Sequence, residues 1–403
     1  MRISTQTFYE QSRTSLGAQQ SSLLRVQQQL GAGTKILAPS DDPLGATRAL
    51  AVSQSISLSA QYSASRSHAV QTLSLEENAL QSVTTLLQKV KSSLIEAGNG
   101  TMTDADRETI ATTLQSDLDQ LQGLANTDDG NGQFLFAGFR SGSAPFVRQA
   151  DGSIQYNGDQ GQRQVQVDVS RQMAGTDDGR SIFQSVQLSA GYVTSAPTGN
   201  QGSGVFSSIS VVDSTNGNYG KDFVISFPTA SSYQVDTVPA SSTPLVVATP
   251  FRPGSAITFG GLQISISGTP AKDDKVNVAT AKKNDSDVFA AIDNAIKALK
   301  TPVDSPKNQA LVLNALSTAN RKLTNTYDNV LTVRASVGSR LQELDALAVT
   351  ADNRTLYDKS YLSDLQDLDY GSAIAEFYQR QTALQASQQT FVKIQKISLF
   401  NYL

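Results

Sequence analysis

The stretch LGAGTKILAPSDDPLGATRAL, from Leu30 to Leu50, separates two segments of helical periodicity near the start of the chain. Gly31 and Gly33 are placed to end the first helix, because glycine readily adopts the left-handed backbone found at helix C-termini. Asp42 directly precedes Pro43, and this order suits a helix that begins at the proline and is capped by the aspartate. The stretch therefore predicts a helix, a turn and a second helix that leaves in a new direction.

The adjacent carboxylates of this stretch have a second interpretation, as metal ligands. A hard divalent cation takes six or more oxygen ligands, and the neighbouring sequence offers no further ligands in a recognisable spacing. We therefore predict a helix-capping turn instead. It consists of Ser40, Asp41, Asp42 and Pro43.

Composition narrows the class of protein. The 403 residues include 39% hydrophobic and 17% charged residues, with a net charge of −4 and no cysteine. This length favours two or three domains, and the lack of cysteine excludes disulfides and thiolate-bound metals.

Scattered basic residues predict no nucleic-acid binding, and no apolar run approaches the ~20 residues of a membrane span. The first residues lack the apolar core of a cleaved signal peptide, so we expect no export by that route.

Both ends of the chain carry a narrow apolar stripe with a spacing of seven residues, which is typical of helices that pack lengthwise. Such thin stripes bury little apolar surface alone, so each end needs a partner. The ends could pair with each other, with neighbouring subunits, or within an ordinary monomeric bundle. The predicted subunit-interface residues are Tyr9, Leu16, Leu23, Leu30, Ile374, Phe377, Leu384, Phe391, Ile394 and Leu399.

Three inner segments predict long antiparallel helical rods. Residues 65–97, 104–125 and 307–350 each keep apolar residues on one face, the first and last of them at heptad spacing, and such repeats favour rods over a globular α/β core. The heptad positions of the first and last segments are Leu73, Leu80, Leu87, Leu94, Leu316, Leu323, Val330, Val337 and Leu344.

The centre of the chain has a different pattern. Short alternating segments such as QFLFAGF, SIQYNG and QVQVDVS precede a region rich in Ser, Thr, Gly and Pro, in which strand candidates recur. A helix in SDVFAAIDNAIKALK then follows, with Asp285 or Ser286 as its expected N-cap. The predicted fold class is α+β, with long helical rods and a terminal coiled coil around an inserted all-β domain.

The expected domains follow from these patterns. Residues 1–40 and 360–403 form the terminal coiled-coil segments, which we expect to be disordered in the monomer. Residues 41–191 and 284–359 form the helical rod domain with short β hairpins. Residues 192–283 form the inserted β domain.

No stretch carries the signature of an enzyme. The single histidine, His68, lies on a polar helix face, and no nucleophile elbow or phosphate-binding loop is present. The Asp pairs at 128–129, 177–178 and 273–274 lie in turn-like composition, which favours turn formation over metal binding. We therefore expect no catalytic, metal or cofactor site.

Both ends of the chain resemble a known family. QLGAGTKILAPSDDPLGA resembles the N-terminal signature of bacterial flagellins and their relatives, and LSDLQDLDYGSAIAEFYQRQTALQASQQTFVKIQKISLFNYL resembles their matching terminal helix. MRISTQTFYEQ, SLFNYL and QFLFAGFRSGSAPF are closer to the hook-associated members, at the junction of hook and filament, than to flagellin proper. The resemblance covers roughly the first 190 and last 120 residues, and is weak across 192–283.

The resemblance implies a structural axial protein of the bacterial flagellum, located outside the cell. Its terminal helices would pair in the inner tube of the filament, and its subunits would form a ring next to a sister hook-associated protein. Flagellin would polymerise on this ring. The protein would leave the cell unfolded through the flagellar type III apparatus, and an export chaperone would bind its C-terminal helix.

Two alternatives remain open from the sequence. The chain could be flagellin, the bulk filament subunit, which shares the terminal motifs. It could also be a surface adhesin or glycan-binding protein that acts through the β insertion, although no cluster of catalytic residues is visible there.

Overall fold

A computed structural model describes residues 5–187, 190–241, 243–282 and 286–400. The chain divides into two units. The terminal unit consists of Met1–Ala64 and Ala346–Leu403, and the central unit of Ser65–Asp345. This division falls inside two long helices, whereas the sequence-based boundaries at residues 40 and 360 follow the ends of the apolar stripes; those boundaries stay a prediction.

Seven helices are present in the described residues. They are α1 (Thr5–Ala32), α2 (Pro43–Ala97), α3 (Asp104–Ala125), α4 (Gly179–Phe183), α5 (Val288–Leu299), α6 (Pro306–Gln366) and α7 (Tyr370–Phe400). Of these, α3 begins with a capping box, in which Thr103 and Asp106 each accept a hydrogen bond from the other's backbone N–H.

The heptad predictions for the rods are confirmed by burial. In the central unit, every predicted heptad position of α2 and α6 is at most 4% exposed. Polar contacts at the edges of this core hold the helices together. Lys89 of α2 forms an ion pair with Asp117 of α3 at 2.6 Å, and Arg334 of α6 pairs with Glu77 of α2 at 2.6 Å.

Thirteen strands are assigned in the described residues. They are β1 (Phe146–Arg148), β2 (Ile154–Tyr156), β3 (Gln164–Asp168), β4 (Arg171–Ala174), β5 (Tyr192–Ser195), β6 (Val205–Phe206), β7 (Ser210–Val211), β8 (Asp222–Thr229), β9 (Ser232–Val238), β10 (Val246–Pro250), β11 (Ala256–Phe259), β12 (Leu262–Ser267) and β13 (Lys275–Thr280). Two hairpins, β1–β2 and β3–β4, precede the β domain.

The β domain consists of two antiparallel sheets around one apolar core. The first has the order β10-β9-β8-β13-β5, and the second has the order β11-β12-β6, with β7 also paired to β12. Phe223 of the first sheet stacks edge-on against Phe259 of the second, with ring centroids 5.1 Å apart. The prediction of an inserted all-β region is therefore matched by its strands.

One face of α6 holds the β domain through side-chain hydrogen bonds. Asn314 donates to the Gly204 carbonyl at 2.8 Å, and Thr318 donates to the Thr194 carbonyl at 2.9 Å. Asn314, Thr318 and Arg321 lie four and three residues apart, which places them on one helix face. The Thr194 carbonyl lies in β5, the edge strand of its sheet, so Thr318 supplies a donor at an edge that has no neighbouring strand on one side.

Two local predictions are wrong. QFLFAGF forms turns rather than a strand, because Leu135, Phe136 and Ala137 are all buried in succession and so cannot alternate between two faces. The N-cap of α5 is Asp287, not Asp285 or Ser286, since its carboxylate accepts hydrogen bonds from the Phe289 and Ala290 backbone N–H groups. Asp285 lies outside the described residues.

Candidate assembly interface

The two terminal helices pack against each other along the predicted stripes. The rings of Tyr9 on α1 and Phe391 on α7 lie 5.2 Å apart. Leu384, midway along α7, is buried, and Phe377 is half-buried. The stripe of α1 is half-buried at Leu16, Leu23 and Leu30. The structure thus brings these predicted residues together within one chain.

Three other predicted interface residues of α7 are not seen in this packed stripe. Ile374 is 45% exposed, whereas its neighbour Ala373 is buried. The side chains of Ile394 and Leu399 lie outside the described residues, although α7 itself runs through their positions. At this turn of α7, Ala373 is the covered residue and Ile374 faces outward.

The turn predicted between α1 and α2 is built by its two aspartates. Asp42 caps α2, because its carboxylate accepts a hydrogen bond from the Gly45 backbone N–H at 2.9 Å. Asp41 accepts from the backbone N–H groups of Leu37 and Ala38 at 3.2 and 3.1 Å. Both carboxylates thus bind backbone donors. The exposed residues Ser40 and Pro43 complete this turn.

The same turn pairs with the connection between α6 and α7. The Lys35 N–H donates to the Gln366 carbonyl at 2.9 Å, and the Leu368 N–H donates to the Gly33 carbonyl at 3.0 Å. The Lys35 ammonium also donates to the Asp364 carbonyl. We call these paired segments, residues 33–42 and 364–370, the connector clasp. It joins both ends of the chain at the point where each enters its terminal helix.

Glycine and aspartate fix the conformation of the clasp. Gly33 has a φ of +71°, and a methyl group there would come within 2.9 Å of the Tyr370 hydroxyl. Asp369 accepts hydrogen bonds from the Ser372 hydroxyl and from the Gly371 and Ser372 backbone N–H groups. The Ser372 bonds are the main reason that the pKa of Asp369 is lowered. Asp369 is therefore the N-terminal anchor of α7.

The terminal unit leaves an unusual amount of apolar surface uncovered. It holds less than a third of the chain, yet more than half of the exposed large hydrophobic side chains in the described residues belong to it. An excess of exposed large apolar side chains favours an interaction surface in this unit. The most exposed of these residues, which we call the uncovered residues, are Leu24, Leu44, Leu50, Val349, Leu356, Tyr357, Tyr370, Ile374, Tyr378 and Val392.

His68 and the acidic side chains are the remaining candidates for metal binding. His68 is exposed on α2, as its sequence environment predicted. Across residues 5–187, 190–241, 243–282 and 286–400, no three His, Asp or Glu side chains are grouped so as to hold a metal ion. None of the helices in that part of the chain has the length and apolar character needed to cross a bilayer.

Comparison with known proteins decides the family. The chain is 33% identical over 401 residues to flagellar hook-associated protein 3 of Escherichia coli, and the match covers 99% of each chain. The chain belongs to the hook-associated protein 3 family. Residues 3–141 also match the model of the bacterial flagellin N-terminal helical region.

Further comparisons agree with membership of the hook-associated protein 3 family. The crystal structure of flagellar hook associated protein-3 from Legionella pneumophila superposes with a TM-score of 0.71, at 25% identity, and covers 78% of this chain and 98% of that one. A flagellin of Clostridium tyrobutyricum is more distant, at 22% identity over 90% of this chain and 91% of that one.

The sequence of this hook-associated protein 3 family member did not allow half of the connector clasp to be predicted. Lys35, Gln366, Asp369 and Tyr370 received no role, because their partners are distant along the chain. The one available signal was DYGS, in which an aspartate precedes the start of an apolar helical stripe. Its pairing with the first turn carries no local signature.

Proposed function

We propose that the chain is a structural axial protein of the bacterial flagellum, which joins the hook to the filament and offers flagellin a surface on which to polymerise. The observation that carries this proposal is the match to hook-associated protein 3 over nearly the whole of both chains. The relatives are structural proteins of the flagellum, so we propose no catalytic role.

The terminal unit supports an assembly role. Its uncovered residues lie on α1, α2, α6 and α7. The stripes of α1 and α7 already pack against each other within the chain, at Leu384 and at the Tyr9–Phe391 contact. We infer a division of roles in which the apolar stripes pair α1 with α7, and the uncovered residues contact neighbouring subunits in a ring. Burial of such side chains contributes about 25 cal/mol per Å² of apolar surface.

The finer partners are part of this proposal. We propose that the ring contacts a sister hook-associated protein on one side and flagellin on the other. An export chaperone binds the C-terminal helix α7 before assembly, where exposed Tyr378 and Val392 offer apolar contacts. The protein reaches the flagellum outside the cell through the flagellar export apparatus.

A deletion strain tests the proposed role. Cells that lack the protein should build hooks, carry no filaments and release monomeric flagellin into the medium. Sheared filaments of the parent strain should contain the protein only as a trace component. If the protein dominated the filament mass instead, it would be the flagellin subunit, and the junction role would be wrong.

Genetic complementation of the deletion strain with a variant tests whether the uncovered residues form the subunit contact. Leu24→Asp should prevent filament formation, because Leu24 is 57% exposed on α1 and a charge there would be buried at a subunit contact. Leu331→Asp is the matched control, since Leu331 is 39% exposed on α6 in the central unit. Both proteins should be exported and should keep the parent thermal midpoint. Normal filaments with Leu24→Asp would remove α1 from the proposed interface.

A further inference from the structure

The β domain has a hydrophobic core of its own. Every buried member of this core lies between Tyr192 and Val278, in the two sheets and the segments that join them. Phe227 of β8, for example, packs edge-on against Phe251 just beyond β10, with ring centroids 5.2 Å apart. The rods have a separate core, which includes the heptad positions of α2 and α6. The apolar contacts that stabilise the β domain are therefore made by its own residues.

Helix α6 takes the place of a missing strand beside the β domain. Strand β5 lies at the end of its sheet, next to β13. The carbonyls of Tyr192 and Thr194 are two residues apart, and such carbonyls point to the same edge of a strand. The first accepts a hydrogen bond from the Arg321 Nε–H at 3.1 Å, and the second from the Thr318 hydroxyl at 2.9 Å. Side chains of α6 thus supply donors that a further strand would otherwise supply.

Asn314 extends this row along α6. Its amide donates to the Gly204 carbonyl at 2.8 Å, and its side-chain oxygen accepts from the Phe206 N–H at 3.1 Å. We call Asn314, Thr318 and Arg321 the latch row. These contacts with the β domain are hydrogen bonds to backbone groups, and such bonds exchange for bonds to water when two surfaces separate. The net contribution of each bond to the contact is therefore modest.

Open space lies on both sides of the latch row. A cleft of about 510 Å³ separates the end of β5 from the side of α6 that carries Ala315 and Ala319. A second cleft, of about 220 Å³, lies between the segment 206–209 and the side of α6 that carries Ser317 and Thr324. At 3.6 residues per turn, these two sides flank the row. Protein cores contain few voids larger than a water molecule, so this contact is not packed like a core.

We propose that the latch row is releasable, and that the β domain moves away from α6 as an intact body while both hydrophobic cores stay folded. The two chain crossings lie side by side, because the Ala281 N–H donates to the Gly191 carbonyl at 3.2 Å. One narrow attachment therefore remains when the row opens, and the β domain can take more than one direction relative to the rods. This inference does not rest on the proposed junction role.

Distances between spin labels in the full chain test the proposal. The chain has no cysteine of its own, so introduced cysteines determine where the labels attach. Ser339→Cys on α6 is paired with Ala230→Cys or with Val247→Cys in the β domain, all at exposed positions. In both pairs we expect a main distance and a minor population at another distance. Thr318→Val should enlarge the minor population about fivefold, because it removes one hydrogen bond of the row.

Two controls separate release from other effects. Thr324→Val is the matched variant, since the Thr324 hydroxyl donates to the Asn320 carbonyl of the same helix, and it should leave both distances unchanged. Labels at Ala230→Cys and Val247→Cys together should keep a single distance, because both lie within the β domain. Hydrogen exchange at the amides of β8 and β13 should stay as slow in Thr318→Val as in the parent.

Three results would overturn the proposal. One is a distance distribution in Thr318→Val/Arg321→Gln that matches the parent, since it would show a rigid contact. Another is faster exchange throughout β8 and β13 in that variant, because the β domain would then need α6 to stay folded. The third is an equal shift in Thr324→Val, which would remove the latch row as the cause. If the double variant fails to fold, Arg321→Gln alone decides, because Arg321 is exposed.

Discussion

Glu76, on α2, is fully buried where this helix meets the segment that follows β4. Its carboxylate accepts a hydrogen bond from the Asp177 N–H at 3.2 Å, and Asp177 in turn forms an ion pair with Arg340. Burial is the main reason that the pKa of Glu76 is raised well above its usual value, and the charge of Asp177 raises it further. The Arg340 charge opposes this shift without cancelling it.

The Glu76 carboxyl group makes stability depend on pH. Because its pKa is higher in the folded state, its contribution to the free energy of unfolding is fully present below the unfolded pKa of about 4.3 and is lost as pH rises through the folded value. Glu76→Gln should therefore flatten the fall in the urea midpoint between acidic and neutral pH. Glu77→Gln is the neighbouring control and should instead lower stability by loss of the Arg334 pair. Parallel pH curves for Glu76→Gln and the parent would contradict the raised pKa.

Gly33 and Gly31 offer a matched pair of glycines. Gly33→Ala places a side chain at a φ of +71° and against Tyr370, and should destabilise the connector clasp by about 1–2 kcal/mol. Gly31 lies in α1 with open space around it, so Gly31→Ala should be neutral or stabilising by up to about 1 kcal/mol. Hydrogen exchange at the Lys35 and Leu368 amides measures both effects. Equal protection in the two variants would mean that the clasp tolerates an L-residue at position 33.

At the scale of elements, the heptads predicted the long helices well, because one repeated apolar face is buried along each rod. The turn after α1 was also readable, since Asp42 caps α2 through the nearby Gly45 N–H and Gly33 adopts the left-handed backbone that glycine favours. The turns of QFLFAGF were not readable. There Phe136 packs edge-on against Phe183 of α4, at 5.8 Å between ring centroids, and such a distant partner leaves no periodic pattern.

The α1–α7 seam has its own prediction. Leu384→Asp should separate α7 from α1, because burying an unpaired carboxylate costs several kcal/mol. The central unit should keep its thermal midpoint, since Leu384 belongs to the terminal unit. Limited proteolysis should cut the terminal helices faster than in the parent. Ile374→Asp, at a 45% exposed position of the same helix, should leave the cutting rate unchanged.

If Leu384→Asp were as resistant to the protease as the parent, the pairing of the terminal helices would not depend on the stripe. The same experiment on the parent also tests whether the chain ends are ordered before assembly. Rapid trimming of both ends in the dilute parent would support the prediction that they are disordered in the monomer.

At the scale of the whole molecule, the β domain is an insertion whose ends meet. The Ala281 N–H donates to the Gly191 carbonyl at 3.2 Å, directly outside strands β5 and β13. Insertions with adjacent ends are removable when the rest of the chain keeps its own core. The heptad core of α2, α3 and α6 contains no residue of this insertion.

Replacing residues 192–280 by a short Gly-Ser linker should therefore give a folded, exported protein that still supports filaments. The face of α6 that carries Asn314, Thr318 and Arg321 would then be exposed to water. This exposure costs little free energy because the side chains are polar. Motility on soft agar and the helical content of the purified protein are the measurements. A variant that is exported and folded, yet leaves cells without filaments, would show that the β domain is essential at the junction.

The connector clasp also dictates an order of events during folding. Its Lys35 side chain bonds a carbonyl 329 residues away, so the clasp cannot close until nearly the entire chain is free to fold. Contacts between such distant positions form slowly, because a very long loop must be closed first. The central unit, Ser65–Asp345, lies entirely between the two halves of the clasp in the sequence, so it can fold while both chain ends are still open. On the proposed export route, the terminal helices can therefore pair only after the last segment of the chain has emerged.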